Sequence, residues 1–416
     1  MNRVDLPRRD VLQGIATFAG VNALGVGKVH AAPGKELDWK AIRALYPRQE
    51  PYINLDNGCI SPARLAVQRK FFEAFRFANE NPCFNLFEKL DSAEVTTKRK
   101  LAQLVDCDPG EVSLNRCTTE ALCIAIFGMP LAAGDEVILS NWDYPSMINA
   151  WQQRAKREGL VLRFASFDLM DNDQAVVDAY AALVTPRTRA IHFTHMIHWT
   201  GRTLPAVEIC RLAQKHNIRT VVDAAQSVAH IPLSFREMGC DYLATSFHKW
   251  LSGPVGTGML VIKEDRIAET WPLFGEFETL PGADKFGLSN LGTYNSAAPY
   301  VLGDCIDFHN MIGSQRKLAR LQELTRYWVD RAREIEGFRI HTPMASPDLG
   351  GIASFSLAGI PVEIVERRLR EEFKIQTRKR VPEGLRAIRV SPQLYSTKSE
   401  LDELVLAIRK IAARRG

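Results

Sequence analysis

Short runs of consecutive apolar and β-branched residues recur along the chain at 136–140, 160–165, 190–194, 220–223, 242–246 and 258–262. Apolar residues on successive rather than alternate positions predict strands covered on both faces, and Thr220-Val-Val-Asp223 is the clearest case. Between several runs lie stretches with helical spacing of apolar positions, at 145–158, 173–183 and 206–216. This alternation predicts an α/β fold: a mostly parallel sheet with crossover helices on both faces. From about Tyr294 the pattern changes. One long helical stretch, 297–336, leads into a shorter mixed region that closes with a helix at 399–414. The expected organisation is a large domain over 61–293 and a small α+β domain built from 33–60 and 294–416.

The N-terminus has a pattern of its own. Arg8-Arg9 precedes a Gly- and Ala-rich apolar stretch from about 11 to 26, which ends in Val29-His30-Ala31-Ala32. A charged segment, an apolar segment and a small-residue cut resemble a twin-arginine export signal over 1–32. The expectation is a periplasmic or secreted protein carried already folded by the twin-arginine machinery. Composition adds limits. With 46% hydrophobic and 24% charged residues, the chain is excluded from the disordered, collagen-like and coiled-coil classes. A formal charge of +5 is weak for a nucleic-acid binder, so no nucleic acid is expected as partner. No uninterrupted apolar run has the length of a membrane span. The eight cysteines show no metal-ligand spacing, so no metal is expected, and their scatter predicts no particular disulfide.

The chemistry gathers around Lys249. The run 220–223 ends in an acid, and Ala244-Thr-Ser-Phe-His-Lys249 ends the next strand with a lysine. Neighbouring parallel strands open their carboxyl ends on one crevice. An acid and a lysine converging there match the needs of pyridoxal 5′-phosphate (PLP). The lysine carries the cofactor as an imine and moves the proton at the substrate Cα, while Asp223 keeps the pyridine nitrogen protonated. Thr118-Thr119-Glu120 ahead of an apolar helix reads as a hydroxyl N-cap with free N–H groups, a seat for phosphate.

With Leu55-Asp-Asn-Gly58, Thr118-Thr-Glu-Ala121, Gly134-Asp-Glu-Val137, Asp223-Ala-Ala-Gln226, Ser246-Phe-His-Lys249, Gly292-Thr293 and Arg389-Val-Ser391, the chain resembles the class V aminotransferases. That group of fold type I PLP enzymes also holds cysteine desulfurases and isopenicillin N epimerase, and the resemblance runs from about Tyr52 to Ile408. It implies a large domain around a seven-stranded, mostly parallel sheet. It places Ser246 and His248 on the phosphate, and Thr293 on the phosphate of a partner subunit, hence a homodimer with shared sites. Gln226 falls at the phenolic oxygen of the cofactor. Tyr144 falls where a ring stacks on the pyridine, with Trp142 as its rival. His198 stands where the family often has asparagine, beside the same oxygen, and its own titration would then tune the cofactor. Arg389 is the expected anchor of the substrate α-carboxylate, assisted by Asn57, and Gly58 allows backbone to approach the ligand closely.

Desulfurases carry a sulfur-accepting cysteine near 375–384. This chain has none there, and no cysteine follows Cys305. Cys59 reads first as a small buried hydrophobe, with a place near the site through the N-terminal loop as the alternative. Arg378, Lys379 and Arg380 occupy that neighbourhood instead, and Arg378 is the candidate for binding a second, glutamate-like carboxylate. The function expected is a PLP enzyme acting at Cα of an amino acid or amino-acid-bearing peptide or metabolite, of aminotransferase or epimerase type. A β-eliminating C–S lyase is the chemical alternative, and a non-catalytic PLP-binding protein is the alternative of another class.

Overall fold

The strands follow the apolar runs, with additions. In chain order they are β1 (Ile53–Asn54), β2 (Val112–Asn115), β3 (Glu136–Ser140), β4 (Val161–Ala165), β5 (Thr188–Thr194), β6 (Arg219–Asp223), β7 (Tyr242–Ser246), β8 (Gly258–Ile262), β9 (Phe338–Ile340), β10 (Ala353–Leu357), β11 (Ile375–Gln376), β12 (Arg378–Arg380) and β13 (Ala387–Val390). This computed structural model describes residues 37–47, 50–275, 280–382 and 384–413. The export signal expected at 1–32 lies outside the described residues. From Asp38 onward the chain forms one compact unit.

Seven strands form the main sheet in the order β2-β8-β7-β6-β5-β3-β4. β4, β3, β5, β6 and β7 run parallel, while β8 lies antiparallel between β7 and β2. Every residue of β2, β3, β7 and β8 is buried, the continuous burial expected of strands with helices on both faces. In the helix Ala206–Lys215, Ala206, Ile209, Cys210 and Ala213 turn inward while Glu208 and Arg211 face water. The helix Thr118–Gly128 is buried along most of its length and packs on β6, β7 and β8. Its start therefore lies deep in the molecule.

The stretch expected as one helix over 297–336 is two. Gly313, at φ +86°, separates Ala297–Ile312 from Ser314–Ala332. Packing changes hands at the same point. Val301, Leu302, Cys305 and Ile306 join a core of the main sheet, whereas Leu324, Trp328, Val329 and Ala332 join the core of a second sheet. That sheet is antiparallel, ordered β12-β13-β10-β9. β1 pairs with β11 in parallel, and the bridge Asp56–Ser391 extends the attachment. The loop after β1 is thereby fixed beside β13.

Candidate active site

Because β3, β5, β6 and β7 are parallel, their carboxyl ends open on one edge of the main sheet. A cavity of about 230 Å3 lies at that edge. Thr194 at the end of β5, Asp223 at the end of β6, Ser246 at the end of β7 and Lys249 just beyond all line it. The register sets Thr194 beside Asp223, and Asp223 beside Ala244.

Phe247, fully buried, anchors the turn that carries Lys249. The next residue, Trp250, donates Nε1–H to Gln226 Oε1 at 2.8 Å and accepts from Lys317 Nζ through its carbonyl. Burial lowers the Lys249 amine to about 8; the charge of Asp223 works against that fall and Arg389 adds to it. Burial likewise raises the Asp223 carboxyl, opposed by Lys249 and by the Ala225 N–H donated to Oδ1 at 2.9 Å.

The cavity lining is also rich in donors around the start of the helix Thr118–Gly128. Cys117, not a threonine, is the N-cap of the helix Thr118–Gly128, and its side chain makes no cap bond. Ser246 from β7 takes that place: Thr118 N–H donates to Ser246 Oγ at 2.7 Å, and the two hydroxyl oxygens lie 2.7 Å apart. Thr119 and His248 complete this group. Burial, with Lys249 nearby, lowers His248 to about 4, so the ring is neutral, and its Nδ1 is buried without a partner.

Tyr144 lines the cavity, edge-on to His198 at 4.9 Å. Its rival Trp142 donates to Phe167 O at 2.9 Å and packs against the core instead. His198 lines the wall with both ring nitrogens buried and unpartnered. Burial, then the charges of Arg380, Arg389 and Lys249, hold it well below the usual histidine range. These causes favour the neutral ring. Gln226 also lines the cavity, but one amide hydrogen goes to Gly58 O at 2.8 Å, which leaves a single N–H for a ligand.

Arg389, fully buried, donates from Nη2 to Asp56 Oδ1 at 2.7 Å and from Nη1 to His198 O at 3.1 Å. One hydrogen remains on each terminal nitrogen. Gly58 serves this arginine: a Cβ there would lie 3.4 Å from Arg389 Cζ. Three expectations need correction. Asn57 is spent on Ser391 O, Asn54 O and the Tyr395 hydroxyl, because it pins the loop to β13 rather than facing the cavity. Arg378 is held outside the cavity by Asp56 Oδ2 at 3.0 Å, and Arg380 lines it in its stead. Cys59 is not a buried hydrophobe but half-buried in the cavity wall, its Sγ 3.6 Å from Arg378 Nη2. Thr293 is exposed, beyond the cavity of its own chain.

Sequence reasoning missed Asp56 and Asp143. Asp143 accepts from Ser140 N–H at 2.7 Å and from Thr194 N–H and Oγ1 at 2.7 and 2.9 Å, bracing the ends of β3 and β5 next to Tyr144. Asp56 lies inside the quoted motif Leu55-Asp-Asn-Gly58, which gave no sign of its arginine partners, and Asp143 carries no spacing signal. Arg380 had one: residues two apart in a strand share a face, so Arg378 could not point there alone.

A buried acid, a lysine and a cluster of donors at a helix start, gathered at the carboxyl edge of a parallel sheet, define a PLP site. The fit is good, since His248 Nδ1 and the His198 ring nitrogens await polar partners there. Residues 59–404 match the Aminotransferase class-V family, and the chain belongs to this family of PLP-dependent enzymes. It is similar to isopenicillin N epimerase of Streptomyces clavuligerus, 30% identical over 393 residues that cover 89% of this chain and 98% of the relative. It is also similar to a probable cysteine desulfurase of Synechocystis sp., 28% identical over 376 residues, 85% of this chain and 89% of that one. Among solved structures, a variant of C-DES with glycine covalently linked to its PLP cofactor aligns with a TM-score of 0.81 at 20% identity, covering 88% of this chain and 98% of the other. The fold is that of the fold type I PLP-dependent transferases.

Proposed function

We propose that this enzyme acts at Cα of an amino acid, or of a peptide or metabolite presenting one, with chemistry of the aminotransferase or epimerase type. The observation that carries the reading is Lys249, enclosed beside Asp223 and brought down to about 8. When bound, PLP supplies the electron-withdrawing ring that makes a Cα proton removable. The residues of the chain do the rest. Lys249 Nζ holds the cofactor and then carries the Cα proton, a task suited to an amine that is partly free base near neutrality. Asp223 keeps a proton on the pyridine nitrogen. Thr118, Thr119, Ser246 and neutral His248 hold the phosphate. Tyr144 would pack on the ring face, and Gln226 and His198 would donate at the phenolic oxygen. Arg389 receives the α-carboxylate through its two remaining terminal hydrogens.

The β-eliminating C–S lyase reading uses the same residues up to loss of the Cα proton and is supported by the desulfurase relatives. A homodimer and export belong to the same proposal. Thr293, exposed and away from its own cavity, suits a reach into a partner, and exposed Phe72, Phe75, Phe84 and Phe87 suit a buried interface. Export is supported by the Arg8-Arg9 pattern alone. The large domain expected over 61–293 and the small domain over 33–60 and 294–416 belong to the same proposal, supported by two separate cores, although the helix Ala297–Ile312 packs in the core of the main sheet.

The test is purification with PLP. The protein should be yellow, with visible absorbance lost in Lys249→Ala, and a panel of amino acids and small peptides should be scored for keto acid, D-isomer, ammonia and thiol. A protein that cannot be reconstituted with PLP would sink the reading; thiol with ammonia would select the lyase.

A further inference from the structure

Arg378 stands directly opposite Arg389 in the β12–β13 register, and Arg380 is two residues further along β12. All three side chains therefore leave the second sheet on one face. Asp56 serves two of them. Asp56 gives Oδ1 to Arg389 at 2.7 Å and Oδ2 to Arg378 at 3.0 Å, which uses both oxygens. Arg380 pairs with no carboxylate among the described residues. Its Nε is buried without a hydrogen-bond partner, and its guanidinium sits 5.5 Å from the centroid of the Trp199 ring. Burial, and then the neighbouring Arg389, push its pKa down to about 9, a fall that the charge of Asp56 offsets only in part. Unlike Arg378, it lines the cavity.

The cavity's anion seats can be assigned from its lining. The phosphate belongs with Thr118, Ser246 and His248, and the α-carboxylate with Arg389. One planar, donor-rich cation remains in the cavity lining, Arg380, close to Arg389. A half-buried guanidinium whose terminal nitrogens pair with no carboxylate among the described residues is completed by one, which it binds in two parallel hydrogen bonds. We infer that Arg380 receives a second acidic group, so that the substrate is an amino acid, or an amino-acid unit, with a carboxylate on its side chain. This rests on the PLP reading for the place of the α-carboxylate. The rival arrangement, with Arg380 and Arg389 sharing one carboxylate, uses the same residues and makes the opposite prediction about selectivity.

The experiment is isothermal titration of the PLP-loaded protein with glutarate and with butyrate, non-reacting acids of similar length that differ by one carboxylate. The wild type should bind glutarate roughly 10- to 100-fold more tightly than butyrate, the worth of one charge-assisted pair. In Arg380→Gln this ratio should fall to about 1, and Arg380→Lys should restore part of it. Lys379→Gln, on the opposite face beside Glu366, should keep the wild-type ratio. Affinities for both acids falling together in Arg380→Gln, or a wild type without preference, overturns the inference. Failure of the PLP reading is seen separately, as absent visible absorbance, and the same titration of the unloaded protein then decides for or against Arg380. The visible band retained by Arg380→Gln reports that the variant is folded.

Discussion

Asp56 is 4% exposed and faces Arg389, whose side chain is 1% exposed, and Arg378, whose side chain is 42% exposed. Asp56→Asn keeps the shape but removes the charge that balances a fully buried guanidinium. Removing one partner of a buried pair costs about 3–5 kcal/mol. The exposed arm to Arg378 adds no more than ~1 kcal/mol. Because asparagine still accepts one hydrogen bond from Arg389, the lower end is expected, roughly 3 kcal/mol. Arg378→Gln should then cost less than ~1 kcal/mol. The double variant Asp56→Asn/Arg389→Gln should recover more than half of the sum of the single losses, since no unpaired buried charge remains. Urea unfolding followed by tryptophan fluorescence measures the wild type, the single variants Asp56→Asn, Arg378→Gln and Arg389→Gln, and the double variant. Strict additivity, or an Asp56→Asn loss below ~0.5 kcal/mol, would show that Arg389 is neutralised by something other than Asp56, and the argument would be wrong.

Other outcomes follow from the same geometry. The rate of PLP uptake by the unloaded protein, read by visible absorbance, should rise through about pH 8 as Lys249 loses its proton. Asp223→Asn removes the charge that holds this amine up, so the rise should move to lower pH; a shift upward contradicts the coupling. Asp143 is raised to about 7 by burial, so the folded state holds a proton that the unfolded state releases, and this contribution to stability is lost as pH climbs toward 7. In Asp143→Asn that loss between about pH 4 and 7 should disappear, with an overall cost of ~1–3 kcal/mol because an amide meets the Ser140 N–H; an unchanged slope in urea midpoint against pH would refute it. Gly201→Ala should destabilise by about 2 kcal/mol or more in the same unfolding assay, since φ is +79° and the new Cβ would lie 2.5 Å from Ile352 O. Light scattering should report a dimer, and Thr293→Ala should weaken PLP retention on dilution; a strict monomer contradicts the role proposed for Thr293.

Local pattern was enough for the central strands and for the reacting pair. Runs of consecutive apolar residues identify doubly covered strands without knowledge of their neighbours, and an acid or lysine at the end of such a run can only emerge at the edge of a sheet. β2 escaped because Ser113 and Asn115 break its apolar run, although both are buried in the fold. The N-cap of the helix Thr118–Gly128 was misplaced by one residue, because the serine that replaces its capping side chain comes from β7, far away in sequence.

Residue type and spacing along the chain thus determined the α/β sheet and the Lys249–Asp223 pair, while the further residues expected around PLP came from the resemblance to the class V aminotransferases. Which of two arginines faces the cavity, and which acid restrains the other, was decided only when β12 paired with β13 and the loop after β1 was fixed against them. The physical reason is range. Strand burial is written in neighbouring residues, whereas the charge balance of a cavity depends on groups such as Asp56 and Arg389, hundreds of positions apart, whose distance is set by packing alone.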